Sequence, residues 1–215
     1  MRCITLAASG AAVLAFAAPV NAMAVFSATS FANFGAEFDT AAFEVVSEVT
    51  VIDEFGEETG TGVVDEIAET QSEALGFVST GGLVAGEASA PAGAASGELF
   101  TEGFISFTNA SADFASLAFS WDLGGEASLS VDDPSVEAGL AVSISRIVAE
   151  RIPASGSGAS RVLEIVGQAI VDPSVPSDGF SEGGSGQIVL ASGDILEVSL
   201  FADQLGVAEV VGGGE

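Results

Sequence analysis

The residues best suited to chemistry in this chain are carboxylates gathered in turns. Asp132-Asp133-Pro134-Ser135-Val136-Glu137 is one such stretch, and Asp172-Pro173-Ser174 running on to Asp178 and Glu182 is a second. Each sets several carboxylates beside backbone carbonyls that a turn leaves unpaired, and a calcium ion takes about six to eight such oxygens. Asp132, Asp133, Glu137, Asp172, Asp178 and Glu182 are therefore the candidate metal ligands, with calcium the one cofactor they would suit. Neither stretch has the spacing of an EF-hand loop, and Gly184-Ser185-Gly186 lacks the aspartate of calcium-binding nonapeptide repeats. Asp and Pro are also good turn formers, and that plainer reading outweighs the metal one.

Other chemistries are excluded by what the chain lacks. It has no His, no Tyr and four basic residues, all arginine (Arg2, Arg146, Arg151, Arg161). Its single cysteine is Cys3. A Ser-His-Asp or Cys-His nucleophile, a Schiff-base lysine and a zinc or copper site built on imidazole or thiolate are all ruled out for the segment after residue 24. Paired carboxylates, as in glycoside hydrolysis, survive this exclusion. With 31 acidic residues, however, no pair stands out. Trp121 is the only tryptophan, and it alternates with Phe119 and Leu123, so core packing is favoured over ligand stacking. No catalytic and no cofactor-binding residue is assigned. Arg146, Arg151 and Arg161 are expected to pair with carboxylates, and replacing an exposed Arg151 by Gln is expected to leave the melting temperature unchanged. Asn109-Ala110-Ser111 matches a glycosylation sequon but is read as a turn.

The charge narrows the partners. A net charge of −27 repels nucleic acid and anionic lipid surfaces, and favours solubility and cations. At the N-terminus, Met1-Arg2-Cys3 precedes an apolar run from Ile4 to Val20, interrupted by Pro19. Small residues follow at Ala22 and Ala24. This is the pattern of a secretory signal peptide, residues 1–24, with cleavage favoured after Ala24, Ala22 being the second choice, and a helical apolar region. The run is short for a membrane anchor. Cleavage takes away Cys3, so no disulfide can form and packing alone must stabilise the exported chain.

The elements that would position these groups read as strands. Phe26, Phe31, Phe34, Phe38 and Phe43 suggest core positions of a strand pair, and Val49–Ile52 a strand. Gly56 to Gly62 reads as a turn. Val64, Ile67, Ala68, Gln71, Leu75 and Val78 follow helical spacing and give the one helix candidate, with a polar-faced strand pair as its alternative. Residues 80–98 read as a surface loop or a small-residue strand. Strands are expected from Phe100 to Phe107, from Leu117 to Leu123, at Leu129 to Val131, from Leu140 to Ile152, from Arg161 to Val171, at Ile188 to Leu190 and at Leu196 to Leu200. Turns are expected at 109–111, Gly124-Gly125, 132–135, 153–160, 172–186 and 191–194, and a bulge near Arg146 and Ile147. Short strands joined by Gly, Asp, Ser and Pro turns point to an all-β antiparallel β-sandwich or jelly roll over residues 25–211, followed by a short glycine-rich tail, 212–215.

Three stretches carry a resemblance. They are Gly86-Glu87-Ala88-Ser89-Ala90-Pro91-Ala92-Gly93, Ile105-Ser106-Phe107-Thr108-Asn109-Ala110-Ser111 with Leu117-Ala118-Phe119-Ser120-Trp121, and Ala191-Ser192-Gly193-Asp194 before Leu196-Glu197-Val198-Ser199-Leu200. From about residue 83 onward the chain resembles exported bacterial β-sandwich proteins of the PEP-CTERM or VPLPA-CTERM type. The resemblance implies a surface or matrix protein without established activity. It also implies a C-terminal sorting signal, which is not seen in Gly212-Gly213-Gly214-Glu215. The expected function is thus a secreted, acidic structural or interaction protein of the cell surface or extracellular matrix, extracellular or periplasmic, without catalysis. Its partner is not identified; an extracellular polysaccharide or a surface protein is the class left open, with no nucleic acid and, after signal cleavage, no membrane. The alternative is a calcium-dependent carbohydrate-binding module or a carboxylate glycosidase.

Overall fold

The computed structural model describes residues 22–57, 60–71, 76–89, 93–131 and 138–210. Ten strands account for nearly all of them: β1 (Ala22–Phe38), β2 (Phe43–Glu57), β3 (Gly60–Gln71), β4 (Phe77–Ser89), β5 (Gly93–Asn109), β6 (Ala115–Val131), β7 (Ala138–Ile152), β8 (Ser160–Val171), β9 (Ser177–Leu190) and β10 (Ile195–Val210). Two antiparallel sheets result. Sheet A has the order β3-β4-β1-β6-β9 and sheet B the order β2-β5-β10-β7-β8. They pack face to face as a β-sandwich, with β3 beside β2 along one flank and β9 beside β8 along the other. The expected all-β sandwich is thus the observed fold. The segment read as a signal helix, apart from its last residues, lies outside the described residues, as does the tail after Val210.

The topology has an internal two-fold character. Exchanging each strand with the one five places later turns the run β4-β1-β6-β9 into itself and β2-β5-β10-β7 into itself. The lengths follow: 17 and 17 residues for β1 and β6, 15 and 15 for β2 and β7, 12 and 12 for β3 and β8. Only β3 and β8 break the relation, because β3 pairs with β4 in sheet A while β8 pairs with β7 in sheet B.

Several expectations are corrected. The helix candidate is a strand pair: every residue from Gly60 to Gln71 has a partner on β4, and Val78 is already in β4. The Val63-Val64 pair, Thr61, Thr70 and the glycines suit a pleated strand, and this pairing overrides a weak 3.6-residue period. The turn expected over Gly56–Gly62 is narrower, since β2 runs to Glu57 and β3 starts at Gly60. Of the two readings given for residues 80–98, the small-residue strand is the one observed: residues 80–89 lie in β4 and 93–98 in β5, most of them buried. Gly124-Gly125 does not turn the chain but sits mid-strand in β6, because a Cβ on Gly124 would lie 2.9 Å from the Phe31 ring. The long turn after Asp172 ends at Pro176, where β9 begins. β7 has no bulge at Arg146; it alternates regularly, and the register shift falls at Ala149 and Glu150, opposite β8.

The regular alternation of β7 has an unexpected phase. Ala141, Ser143, Ser145, Ile147 and Ala149 face inward, so the more apolar-looking set Leu140, Val142 and Ile144 faces out. The inward serines belong to a polar belt across the middle of the core. Ser143 Oγ donates to Thr29 O at 2.5 Å, Ser145 Oγ donates to Gly124 O at 3.4 Å, and Gln204 Nε2 donates to Ser30 Oγ. Thr80 and Thr101, also fully buried, lie at the same level. One apolar cluster sits on one side of the belt around Phe34, Phe107, Leu117 and Leu200; another sits on the other side around Phe26, Leu99 and Leu129.

Phe26 shows how tightly the sheets meet. Its ring lies between Gly86 of its own sheet, where a Cβ would come within 2.5 Å, and Gly206 of the other, where a Cβ would come within 1.9 Å of the ring edge. Gly206→Ala is therefore expected to lower the stability by about 1–3 kcal/mol through overpacking. Urea unfolding measures this, and Phe26→Leu in the Gly206→Ala background should recover part of the loss. An unchanged urea midpoint for Gly206→Ala alone would contradict the packing.

Candidate functional site

The acidic stretches separate on inspection. Asp132, Asp133 and Glu137 lie outside the described residues. Asp172 closes the turn between β8 and β9: its Oδ1 accepts from Ser174 N at 2.7 Å, Ser174 Oγ at 2.5 Å and Val175 N at 3.1 Å. These donors, the Ser174 hydroxyl first, hold its carboxyl below the ordinary value. Asp178 starts β9 and accepts from Gly179 N at 2.8 Å and, across the flank, from Ile170 N at 3.4 Å. Glu182 is exposed on β9 opposite Leu123. Asp178 and Glu182 are four steps apart on one strand, about 13 Å along the chain, far beyond what one calcium ion with ligands at about 2.4 Å can bridge. Among the described residues, no group of three or more acidic or metal-ligating side chains is placed to hold an ion.

The three arginines among the described residues sit on one hairpin, and each is paired. Arg146 meets Glu164 at 2.7 Å, and Arg161 meets Glu150 at 2.9 Å and also Glu164. The Arg146 hydrogen bond leads the effects that lower the Glu164 carboxyl, and the Glu150 hydrogen bond leads those that raise Arg161. Arg151 is different, because its partner is Asp194, whose side chain is only 5% exposed. Asp194 also accepts from Ala154 N at 3.0 Å and Ala191 N at 3.2 Å. The Ala154 amide first and Arg151 second depress its carboxyl. One buried carboxylate therefore ties the β7–β8 loop to the β9–β10 turn.

Asn109 completes that corner. It is fully buried. Its amide donates to Asp113 O and Leu190 O, both at 2.9 Å, and its Oδ1 accepts from Ser111 N at 3.0 Å and Ser111 Oγ at 2.7 Å. Gly193 N donates to Asn109 O at 2.8 Å, Asn109 N donates to Asp194 O at 3.0 Å, and Ser192 Oγ donates to Ser111 O at 2.6 Å. The Asn-Ala-Ser turn and the Ala-Ser-Gly-Asp turn, distant in sequence, form one hydrogen-bonded clasp. Every polar atom of the Asn109 side chain is engaged, so the sequon works as a turn.

Trp121 points inward, half-buried against the core at the β9 flank. The outward face of sheet A carries other groups. Along β1 the even positions Phe26, Phe34 and Phe38 face the core, whereas Phe31 falls on the odd, outward side with Asn33 and Gly35. Asn33 Nδ2 donates to Asp122 Oδ2 at 3.1 Å, and Ser79 Oγ donates to Asn33 Oδ1 at 2.5 Å, a polar row across β4, β1 and β6. The half-buried Phe31 ring covers Gly124 on one side of this row. On the other side Phe77 leans on Gly35, 3.7 Å from where a Cβ would be. Sequence reasoning passed over this row; the signal was the single phenylalanine out of phase in β1. No protein-family model matches the chain, and no curated protein matches it. No helix among the described residues is long and apolar enough to cross a membrane.

Asp194→Asn is expected to lower the melting temperature at pH 7 by several degrees, and Arg151→Gln to lower it as well. The earlier expectation of no effect for Arg151 assumed an exposed pair, whereas its removal leaves a buried carboxylate short of two donors. The pH dependence has a fixed sign. A depressed folded value means that the contribution of Asp194 is complete above the unfolded value, about 3.9, and is lost as the pH falls through the folded value. Thermal melts from pH 7 to pH 3 should show the two variants converging on the wild type at the acid end. A constant gap across that range would contradict the assignment.

Proposed function

We propose that this is an exported, acidic, non-catalytic β-sandwich that works at the cell surface or in the extracellular matrix by binding, and that it holds a neutral polysaccharide on the outward face of sheet A. The observation that carries this is the Ser79–Asn33–Asp122 row between the Phe31 and Phe77 rings. The part-exposed Asn33 amide and Asp122 carboxylate can exchange hydrogen bonds with sugar hydroxyls, the buried Ser79 hydroxyl holds the amide in place, and half-exposed rings can pack against the C–H faces of pyranoses. The surrounding positions are small, such as Ser120 and Gly183, which leaves the face flat enough for an extended chain. A net charge of −27 disfavours acidic polymers and leaves neutral ones.

The N-terminal pattern and the resemblance to exported PEP-CTERM-type proteins support the location. Ala24 is 1% exposed and pairs with Ala88 and Val131. Of the two cleavage points, the one after Ala22 keeps Ala24 in β1 and is the one we favour. A calcium-dependent mode has less support, because the Asp172 carboxylate is already taken up by Ser174 and Val175.

The test is retention on insoluble neutral glucans. The exported chain should sediment with at least one of cellulose, curdlan and amylose, and both Phe31→Ala and Asp122→Ala should weaken retention about tenfold, a loss near 1.4 kcal/mol. Mass spectrometry of the same material should find Met23 as the first residue. Equal retention of the two variants, no retention of the wild type on any of the three, or a chain left in the cytoplasm with Met1 intact would each refute the reading.

A further inference from the structure

The polar belt across the middle of the core is complete on one side and incomplete on the other. Where β7 faces β1 and β6, each inward serine of the belt has an acceptor on the opposite sheet, Ser143 on Thr29 O and Ser145 on Gly124 O. Gln204 of β10 reaches Ser30 of β1 through Nε2. Toward β4 and β5 the pairing stops. Thr80 and Gln204 are both fully buried, yet Thr80 Oγ1 and Gln204 Oε1 have no hydrogen-bond partner in the protein. Such atoms are rare in folded proteins, because burial strips their hydration and returns no bond. The other two buried atoms without partners, Arg146 Nε and Asp203 Oδ1, belong to residues that reach the surface.

The deficit does not depend on which way the Gln204 amide is turned. A carboxamide has an oxygen that accepts and a nitrogen with two hydrogens to donate. The Ser30 hydroxyl serves one end, and the other end stays open whichever it is. The Thr80 hydroxyl can both donate and accept, and does neither. A third group is half engaged: the buried Thr101 hydroxyl donates to Ala202 O at 3.4 Å and is still able to accept.

The fold brings these groups to one place. Thr80 lies over Gly103 of β5, its Cγ2 2.6 Å from where a Cβ on that glycine would be, and Gly86 lies over Ala95, at 3.3 Å by the same measure. Gly82, between Thr80 and Gly86 on the same inward face of β4, therefore stands over the Leu99–Thr101 stretch of β5. Gly82 is also the β4 partner of Ser30, the residue to which Gln204 is bonded. Gln204 pairs with Leu99, and Thr101 with Ala202. Gly82 brings no side chain into the core, and the polar groups around that bare position are Thr80, Ser30, Thr101 and Gln204.

We propose that the sandwich binds a water molecule at this point, between Thr80, Thr101 and the Gln204 amide, as a fixed part of its core. A water donates two hydrogens and accepts two, and a buried one usually makes about three hydrogen bonds to groups that otherwise have none. Here it donates to Gln204 Oε1 and to Thr101 Oγ1 and accepts from the Thr80 hydroxyl. With the amide turned over, it accepts from Gln204 Nε2 and donates to Thr80 instead. The chemistry of the site suits no other occupant. All four polar residues are neutral, so an ion would lie there without a counter-charge, and an apolar group would leave the same atoms unpaired. The bound water extends the belt to β4 and β5, and it does not depend on what sheet A binds.

Magnetic relaxation dispersion of the water oxygen tests this, because it reads water held inside a protein and is blind to hydroxyl protons. Thr80→Val keeps the shape of the side chain and removes the hydroxyl, Thr80→Ser keeps the hydroxyl, and Gln204→Met removes the amide at similar length. The wild type and Thr80→Ser should show the held water. Thr80→Val and Gln204→Met should each lose the amplitude of about one molecule. Thr80→Val should also leave the melting temperature no higher than that of the wild type, since it takes a partner from the water. A dry hydroxyl without partners predicts the reverse, a rise in melting temperature when it is removed. Circular dichroism checks that each variant is folded. A wild type with no held water, an amplitude that both Thr80→Val and Gln204→Met leave unchanged, or a melting temperature raised by Thr80→Val would overturn the proposal.

Discussion

The sandwich closes because aromatic rings lie where glycines leave room. Phe26 is seated between Gly86 and Gly206, Phe180 lies over Gly167 of the opposite sheet, and Phe119 and Trp121 cover Gly186 and Gly184 of the neighbouring strand. A chain with a single cysteine can form no internal disulfide and must hold its two sheets together by packing, and a ring set on a bare backbone brings many atoms into contact. This also accounts for the composition, with 27 glycines and 15 phenylalanines. Most of the glycines are not punctuation. Among the described residues only Gly76, Gly81, Gly156, Gly158 and Gly193 have positive φ.

That packing explains where the sequence could be read and where it misled. The strands around Phe107, Phe119 and Leu200 show a clean two-residue alternation and were legible as such. Gly124-Gly125 looked like a turn because glycine pairs usually are one, and only the position of Phe31 and the Ser143 hydroxyl shows why they sit mid-strand. β7 misled in a different way. Its inward positions include Ser143 and Ser145, which bond to carbonyls of the facing sheet, so the polar set is the buried one and the eye takes Leu140, Val142 and Ile144 for the core. A polar belt inside a sandwich inverts the usual pattern, and it can be recognised only when the facing carbonyls are known.

The chemistry-bearing residues followed the same rule. Asp172 and Asp178 were singled out as turn carboxylates, and turn-making is the work that the hydrogen bonds of Asp172 show. Asp194 attracted no notice as a site, although it binds two loops and an arginine together, because its partners Ala154 and Arg151 are some forty residues away in the chain. The Asn109 and Asp194 turns were noticed separately as two stretches of one resemblance. In the structure the two stretches join into a single hydrogen-bonded clasp at one corner of the fold.

The two outward faces differ because the internal two-fold is broken at one pair of strands. β3 adds to sheet A and β8 to sheet B. β8 carries Arg161 and lies against β7, with Arg146 and Arg151, so every base of the described chain is placed on a single hairpin at one edge of sheet B. β3 and its neighbourhood in the sequence carry only acids, Asp65, Glu66 and Glu69 among them. Had both strands joined the same sheet, or each its own by strict symmetry, the cations would have been shared out differently between the faces. As built, the outward face of sheet B combines apolar side chains with both signs of charge, and that of sheet A carries the Ser79–Asn33–Asp122 row, with the Ser79 hydroxyl buried against the Asn33 amide. Among the described residues the three arginines therefore neutralise carboxylates of their own hairpin and of the adjoining β9–β10 turn, so the positive charges work within the fold, cross-linking β7 to β8 and to that turn.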